Sequence, residues 1–258
     1  MRRLSAIGLR LLLVLSVSSI FVTWAAAQTD SDKSNQSDID KRIDNSARVL
    51  DEIMKTPDKA IPDKVMSGAK CLAVIPSMVR IAVGFGGSHG KGIATCRTEH
   101  GWSAPAPITI TGGSWGLQLG GQAVDLVLVF MNQSGMDHLL SDKFKIGANA
   151  SAAAGPVGRD VGADTDIKMH AEVLTYSRAR GLFAGVDLSG SVVSQDKDET
   201  RLLYGKFEPF AAILDGRVHP PAASHTFLAA VRKYSAQSHD KETSENHAEA
   251  DGNASASK

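Results

Sequence analysis

The sequence predicts an α+β fold: a strongly curved, mostly antiparallel β-sheet or barrel-like core with an N-terminal helical segment and a C-terminal helix. Three observations carry that expectation. Short β-branched runs outnumber helical stretches, glycine-rich turns rather than helical crossovers separate those runs, and the longest helical periodicities stand near the two ends of the domain.

The chain opens with Arg2, Arg3 and Arg10, then an apolar stretch from Leu11 to Val22, then Ala25, Ala26 and Ala27. A positive, an apolar and a small-residue region in that order read as a cleaved secretory signal peptide over residues 1–27. The expected location is therefore periplasmic or secreted. From Leu11 to Ala27 the stretch is too short for a span of about 20 apolar residues. Residues 28–37 are polar and read as a flexible leader, 38–235 as the folded domain and 236–258 as a disordered tail.

Within the domain, Ile39, Ile43, Leu50, Ile53 and Met54 recur at helical spacing with Ser37 or Asp38 as N-cap, and Pro57 ends that helix. A short helix is expected from Pro62 to Gly68. Strands are expected at Cys71 to Ile75, Val79 to Phe85 and Ile93 to Cys96, with the glycine-rich run Gly86 to Gly90 as a hairpin turn. Further strands are expected around Ile108–Ile110, Leu117–Leu119 and Val124–Met131, punctuated by Gly112-Gly113 and Gly120-Gly121. A short helix near Ser134–Leu140, strands over Ile167–Ser177 and Leu182–Val193, and helices at Thr200–Tyr204 and Ser224–Tyr234 complete the plan.

Composition narrows the function. The whole chain carries 28 basic and 28 acidic residues; losing Arg2, Arg3 and Arg10 leaves 25 basic against 28 acidic groups, a net charge of −3. That balance speaks against a nucleic-acid binder, which must neutralise phosphates. Cys71 and Cys96, the only cysteines, are expected to pair in an oxidising compartment, two buried thiols being the alternative. The bridge would stabilise the fold by about 3.5 kcal/mol on the chain-entropy model.

Catalytic patterns fail on context. The run Gly84 to Lys91 resembles a phosphate loop, but Phe85 and Gly92 stand where glycine and a hydroxyl residue are required, and His89 spoils the dinucleotide pattern. Two windows, Gly86 to Gly90 and Gly112 to Gly116, match the serine-hydrolase pattern around Ser88 and Ser114. Both are expected between strands rather than on a strand-to-helix elbow, although His89 beside Ser88 keeps an esterase as an alternative. No metal-ligand spacing and no cofactor motif is present: His170, Glu172, His219 and His225 read as ordinary side chains. Asp196, Asp198 and Glu199 read as a solvated polar turn.

Several ordered blocks resemble the SYLF domain family: Gly86-Gly87 with Gly90-Lys91-Gly92, Gly101 to Pro105, Gly112 to Gly120, Asp125 to Asn132, Gly155 to Arg159, and Tyr176 to Gly185. The resemblance spans Ile39 to Tyr234. It implies a non-catalytic module that binds anionic lipid or a membrane surface; a structural or protein-interaction domain of the cell envelope, with an envelope protein as partner, is a further alternative. In eukaryotic members, lipid contact is associated with a basic amphipathic N-terminal segment. Here Ile39 to Met54 balances Lys41, Arg42 and Arg48 with four acids, so the expected anionic contact shifts to Lys55, Lys59, Lys64, Lys70 and Arg80, an ordinary solvated face being the alternative. Arg159, Arg178 and Arg180, which match positions within these blocks, are expected in buried hydrogen-bonded or turn roles, lipid contact being the alternative.

Overall fold

The computed structural model describes residues 36, 38–56, 60–157, 171–179, 182–183, 188–238 and 240, the side chains of 82–85, 114–120 and 182–183 excepted. The expected signal-peptide segment, Lys59, Arg159, His170, Arg180 and nearly all of the expected tail lie outside them. The chain divides into two compact units, Met1–Ile39 and Asp40–Lys258. Of the first, only residues 36, 38 and 39 are described, as the start of a helix. The sheet and all remaining described residues belong to the second.

Helix α1 (38–54) and α2 (Asp63–Gly68, N-cap Pro62) precede two very long strands, β1 (Cys71–Thr98) and β3 (Ala106–Phe130), joined through the short β2 (Gly101–Trp102). Next come α3 (Gln133–Leu140), β4 (Lys143–Lys145), β5 (Ala152–Ala154), β6 (Val173–Ala179), β7 (Leu182–Phe183) and β8 (Val192–Gln195). The chain closes with α4 (Lys197–Tyr204), α5 (Phe210–Leu214) and α6 (225–238). The eight strands form one sheet in the order β2-β1-β3-β6-β5, with β8 joining β3 to β4 and β7 pairing with β6. All described pairings of named strands are antiparallel except β5 with β6.

The expected curvature is present, but its construction differs from the expectation. Gly86 to Gly90 is not a hairpin turn: β1 continues through it, paired to β3 from Gly86↔Ser114 to Gly90↔Ile110. Gly112-Gly113 and Gly120-Gly121 likewise lie inside β3. The reversal between the two strands falls at Glu99-His100 instead, and register shifts at Ile75/Met78 and Val83/Phe85 bend the ribbon without ending it. Glycine marks bends and close approaches as well as turns, and here it does the former.

The close approach is explicit. A Cβ on Gly90 would lie 2.7 Å from Ile75 Cγ2 and 3.0 Å from Met78 Cβ, and one on Gly92 would lie 2.7 Å from Ile75 Cγ1. The second arm of β1, residues 90–98, therefore folds back against its first arm, residues 71–78. Cys71 and Cys96 seal the far end with the expected disulfide.

Alternation along the strands creates two buried faces. Ala73, Ile75, Leu126, Leu128, Phe130 and Val173 pack with Leu139 of α3, Phe144 of β4 and Phe210, Ile213 and Leu214 of α5. Leu72, Val74, Val127, Val129 and Leu174 point the other way and are equally buried. On that side α1 pairs with the sheet through Glu52 and Arg178 of β6. Helix α6 is tied to α1 by Thr226 donating to Asp44 at 2.7 Å and by Tyr234 donating to Asp51. It runs through Ser238, which is fully buried and donates to Asp63 at 3.1 Å, so ordered chain extends past the expected boundary at residue 235.

Candidate functional site

Because residues 75 and 78 of β1 touch residue 90 of the same strand, residues 79–89 must leave the body and return to it. With their partners on β3 they form an arched two-stranded ribbon. Its first foot is built around Ser77, whose φ of 53° makes it the one described non-glycine residue in the left-handed region. That conformation costs about 1 kcal/mol for an L-residue. Its backbone N–H donates to Asp125 Oδ1 at 2.9 Å, and the other Asp125 oxygen accepts from Arg178 at 2.8 Å, while Arg178 also pairs with Glu52. The bond to Asp125, reinforced by Glu52, raises the Arg178 pKa despite burial. Arg178 thus has the hydrogen-bonded role expected of it.

The second foot is Lys91, beside Gly90. Its ammonium lies 2.7 Å from Asp196 Oδ2 and 2.9 Å from Glu199 Oε1, and Arg42 of α1 pairs with the same Glu199 oxygen. Burial opposes the charge on Lys91, but the two carboxylates outweigh it and its pKa rises; burial likewise opposes Asp196, and the Glu199 N–H and Lys91 outweigh it. Asp196 is also the N-cap of α4, accepting from the Glu199 N–H at 3.0 Å. This corrects the reading of Asp196 and Glu199 as a solvated turn. The signal was legible as an Asp three residues before a Glu at a helix start.

Between the feet the two faces of the ribbon differ. Val79, Ile81, Gly87 and His89 of β1, with Thr111, Gly113, Gly121 and Ala123 opposite them, are all exposed, Val79 by 46% and Ile81 by 57%. Arg80, Gly86, Ser88 and Gly112 are half-buried, on the side that Met78 and Gly90 share. The ribbon is therefore convex on the Val79–Ile81 side. Sequence reasoning missed this face, because Val79 to Phe85 has the apolar pattern of any buried strand.

Charge distinguishes the region. From Lys64 to Val124 there is a single acid, Glu99, against Lys64, Lys70, Arg80, Lys91 and Arg97. Ile81 to Ser88 and Gly101 to Val124 contain no charged side chain.

The residues expected to meet anionic lipid are distributed unevenly over this frame. Lys64 and Lys70 are exposed. Lys70 sits seven residues before Ser77, about 23 Å of extended strand. Lys55 is exposed, but its ammonium lies 2.6 Å from Asp51. That bond, with the Tyr234 hydroxyl, lowers the Asp51 pKa to about 2. Arg80 lies three residues past Ser77 on β1, next to the first foot. Lys59 lies outside the described residues.

Neither serine window has the geometry of a nucleophile elbow. Ser88 and Ser114 both occupy ladder positions, Ser88 opposite Gly112 and Ser114 opposite Gly86. As neighbours in a strand, Ser88 and His89 face opposite sides. Elsewhere, Glu172 accepts from the Ser134 hydroxyl and, at 2.6 Å, from the Ser151 N–H; His138 Nε2 lies 3.7 Å away. Ser134 leads in lowering the Glu172 pKa. The serine thus bonds to the acid and not to the imidazole. Among the described residues, no group of three or more His, Cys, Asp or Glu is placed to hold a metal ion, and no helix is long and apolar enough to cross a membrane.

A family model described as "Ysc84: Las17-binding protein actin regulator" matches residues 111–234, from the second leg of the ribbon to α6. LAS seventeen-binding protein 3 of Saccharomyces cerevisiae is 34% identical over 170 residues, 64% of this chain and 37% of that protein. SH3 domain-containing YSC84-like protein 1 is 35% identical over 168 residues in Xenopus laevis, 64% of this chain and 50% of that protein. The Rattus norvegicus protein of the same name is 32% identical over 193 residues, 72% of this chain and 56% of that protein. The chain thus spans between about a third and rather more than half of the curated relatives it matches. The likeness covers both the curled sheet and the closing helices, and the chain belongs to the Ysc84 (SYLF) domain family.

Proposed function

We propose that the mature chain is an exported, non-catalytic module that attaches peripherally to membranes or other anionic lipid surfaces from the periplasmic or extracellular side. The observation that carries this reading is the arched ribbon, exposed and apolar on its convex face within a 61-residue run holding one acid and five basic residues. An overall charge near zero supplies little attraction, so a local acid-poor surface has to do it, sharing the energy with apolar contact. Lys64 and Lys70 extend that surface along the sheet, and Arg80 borders its foot.

The decisive experiment is co-sedimentation of the chain from Gln28 onward, disulfide intact, with vesicles of phosphatidylcholine alone and of phosphatidylcholine with phosphatidylglycerol. Preferential sedimentation with the anionic vesicles is expected. Failure to sediment with either overturns the reading. A protein partner is the second reading, favoured by the names of the family and of the yeast relative, which describe binding to Las17. On that reading the partner is a protein of the cell envelope, and vesicles leave the chain in solution.

A further inference from the structure

We infer that the convex face of the ribbon, centred on Val79 and Ile81, is the element that enters the lipid surface, with Arg80 at its base setting its depth. This rests on the lipid reading above and adds a place and a mode: shallow insertion rather than attachment by charge alone.

Four features converge on a bilayer as occupant. The legs begin and end at one point, where Gly90 meets Met78, so the eleven residues between them go out and come back, reaching at most about 18 Å from the body. An insertion of that kind must be free of charge on both faces, whereas docking on a protein requires only one. Ile81 to Ser88 and the facing stretch of β3, Gly112 to Gly121, meet the stricter condition. Except at the register shift between Val83 and Phe85, the ladder from Val79↔Ala123 to His89↔Thr111 pairs the facing N–H and C=O groups within the ribbon, which lowers the cost of leaving water.

The fourth feature is the position of Arg80. It immediately precedes Ile81 to Ser88 on β1, and among the described residues no carboxylate pairs with it. A long basic side chain at the base of an apolar projection keeps its head among lipid phosphates while its stem lies along apolar surface. Lys91, one residue beyond Gly90, is instead held by Asp196 and Glu199, so it fixes the foot and leaves that role to Arg80.

The test compares the wild type with Val79→Asp/Ile81→Asp and with Lys64→Glu/Lys70→Glu in the same vesicle sedimentation. The ribbon pair is expected to lose at least about tenfold in apparent affinity, since two ionised groups must then enter the interface. The lysine pair is expected to lose less, and its loss to vanish at high salt, where exposed charges are screened. Both wild-type side chains are largely in solvent, so the ribbon variant should keep its melting temperature. In a separate Ile81→Trp variant, emission should shift to the blue on adding vesicles and be quenched by lipids brominated in their acyl chains. Wild-type binding with an unchanged ribbon variant and an unshifted Ile81→Trp would overturn the inference while leaving the lipid reading standing. Wild-type failure to bind any vesicle would overturn both. A wild-type dimer in sedimentation equilibrium that the ribbon substitutions dissociate would also overturn it, by assigning the face to a second copy of the chain.

Discussion

The two arms of β1 and the arch between them are one continuous strand on one continuous partner, yet they live in opposite environments. Residues 71–75 and 92–96 are buried on both faces, under helices on one side and against each other on the other. Residues 79, 81, 87 and 89 are exposed. Their hydrophobicity does not explain this: Val79, Ile81, Ala82 and Val83 would pass for a core strand as readily as Leu72 to Ile75. What differs is the second layer. Among the described residues the arms have one and the arch does not, so similar side chains stabilise the fold in one place and stay available in the other.

That contrast can be broken or sharpened by substitution, and the largest effect is expected in the arms. Replacing Cys71 and Cys96 by serine should cost about 3.5 kcal/mol on the chain-entropy model, measured by urea unfolding, because the bond seals the two arms. Gly92→Ala comes next. Its new Cβ would press on the Ile75 backbone, 2.9 Å from that Cα, and a backbone neighbour has little room to yield, so a loss of about 2 kcal/mol is expected. The smallest effect belongs to the arch: Ile81→Ser should change stability by no more than about 0.5 kcal/mol. A loss at Ile81 matching that at Gly92 would mean that the arch is packed after all and would erase the distinction.

Much of this architecture was legible. Alternating β-branched runs with helices at the ends led to a curved α+β sheet, and the pairing of Cys71 with Cys96 followed from the expectation of an oxidising compartment. The long continuous strands were not legible, because Gly86 to Gly90 and Gly112-Gly113 carry the composition of turns. Only long-range contacts, such as Ile75 against Gly90 and Gly92, show that these glycines make room for a neighbouring strand. Asp196 and Glu199 mislead for a related reason: their partners, Lys91 and Arg42, are more than 100 residues away in sequence. The cations proposed from the sequence were near one another in the chain but not all in the fold, since Lys70 and Arg80 stand at opposite ends of an arm. The missing acids between Lys64 and Val124 were visible in the sequence, but they acquired meaning only once the strands carrying them were seen to form one ribbon.

The Cys71–Cys96 bond also makes the arch part of a covalent ring. A protease that cuts β1 between those two residues leaves both fragments joined through the disulfide and aligned along β3. A nick in that leg of the arch therefore breaks the chain without parting the domain, whereas the β3 leg, outside the ring, has no such tether.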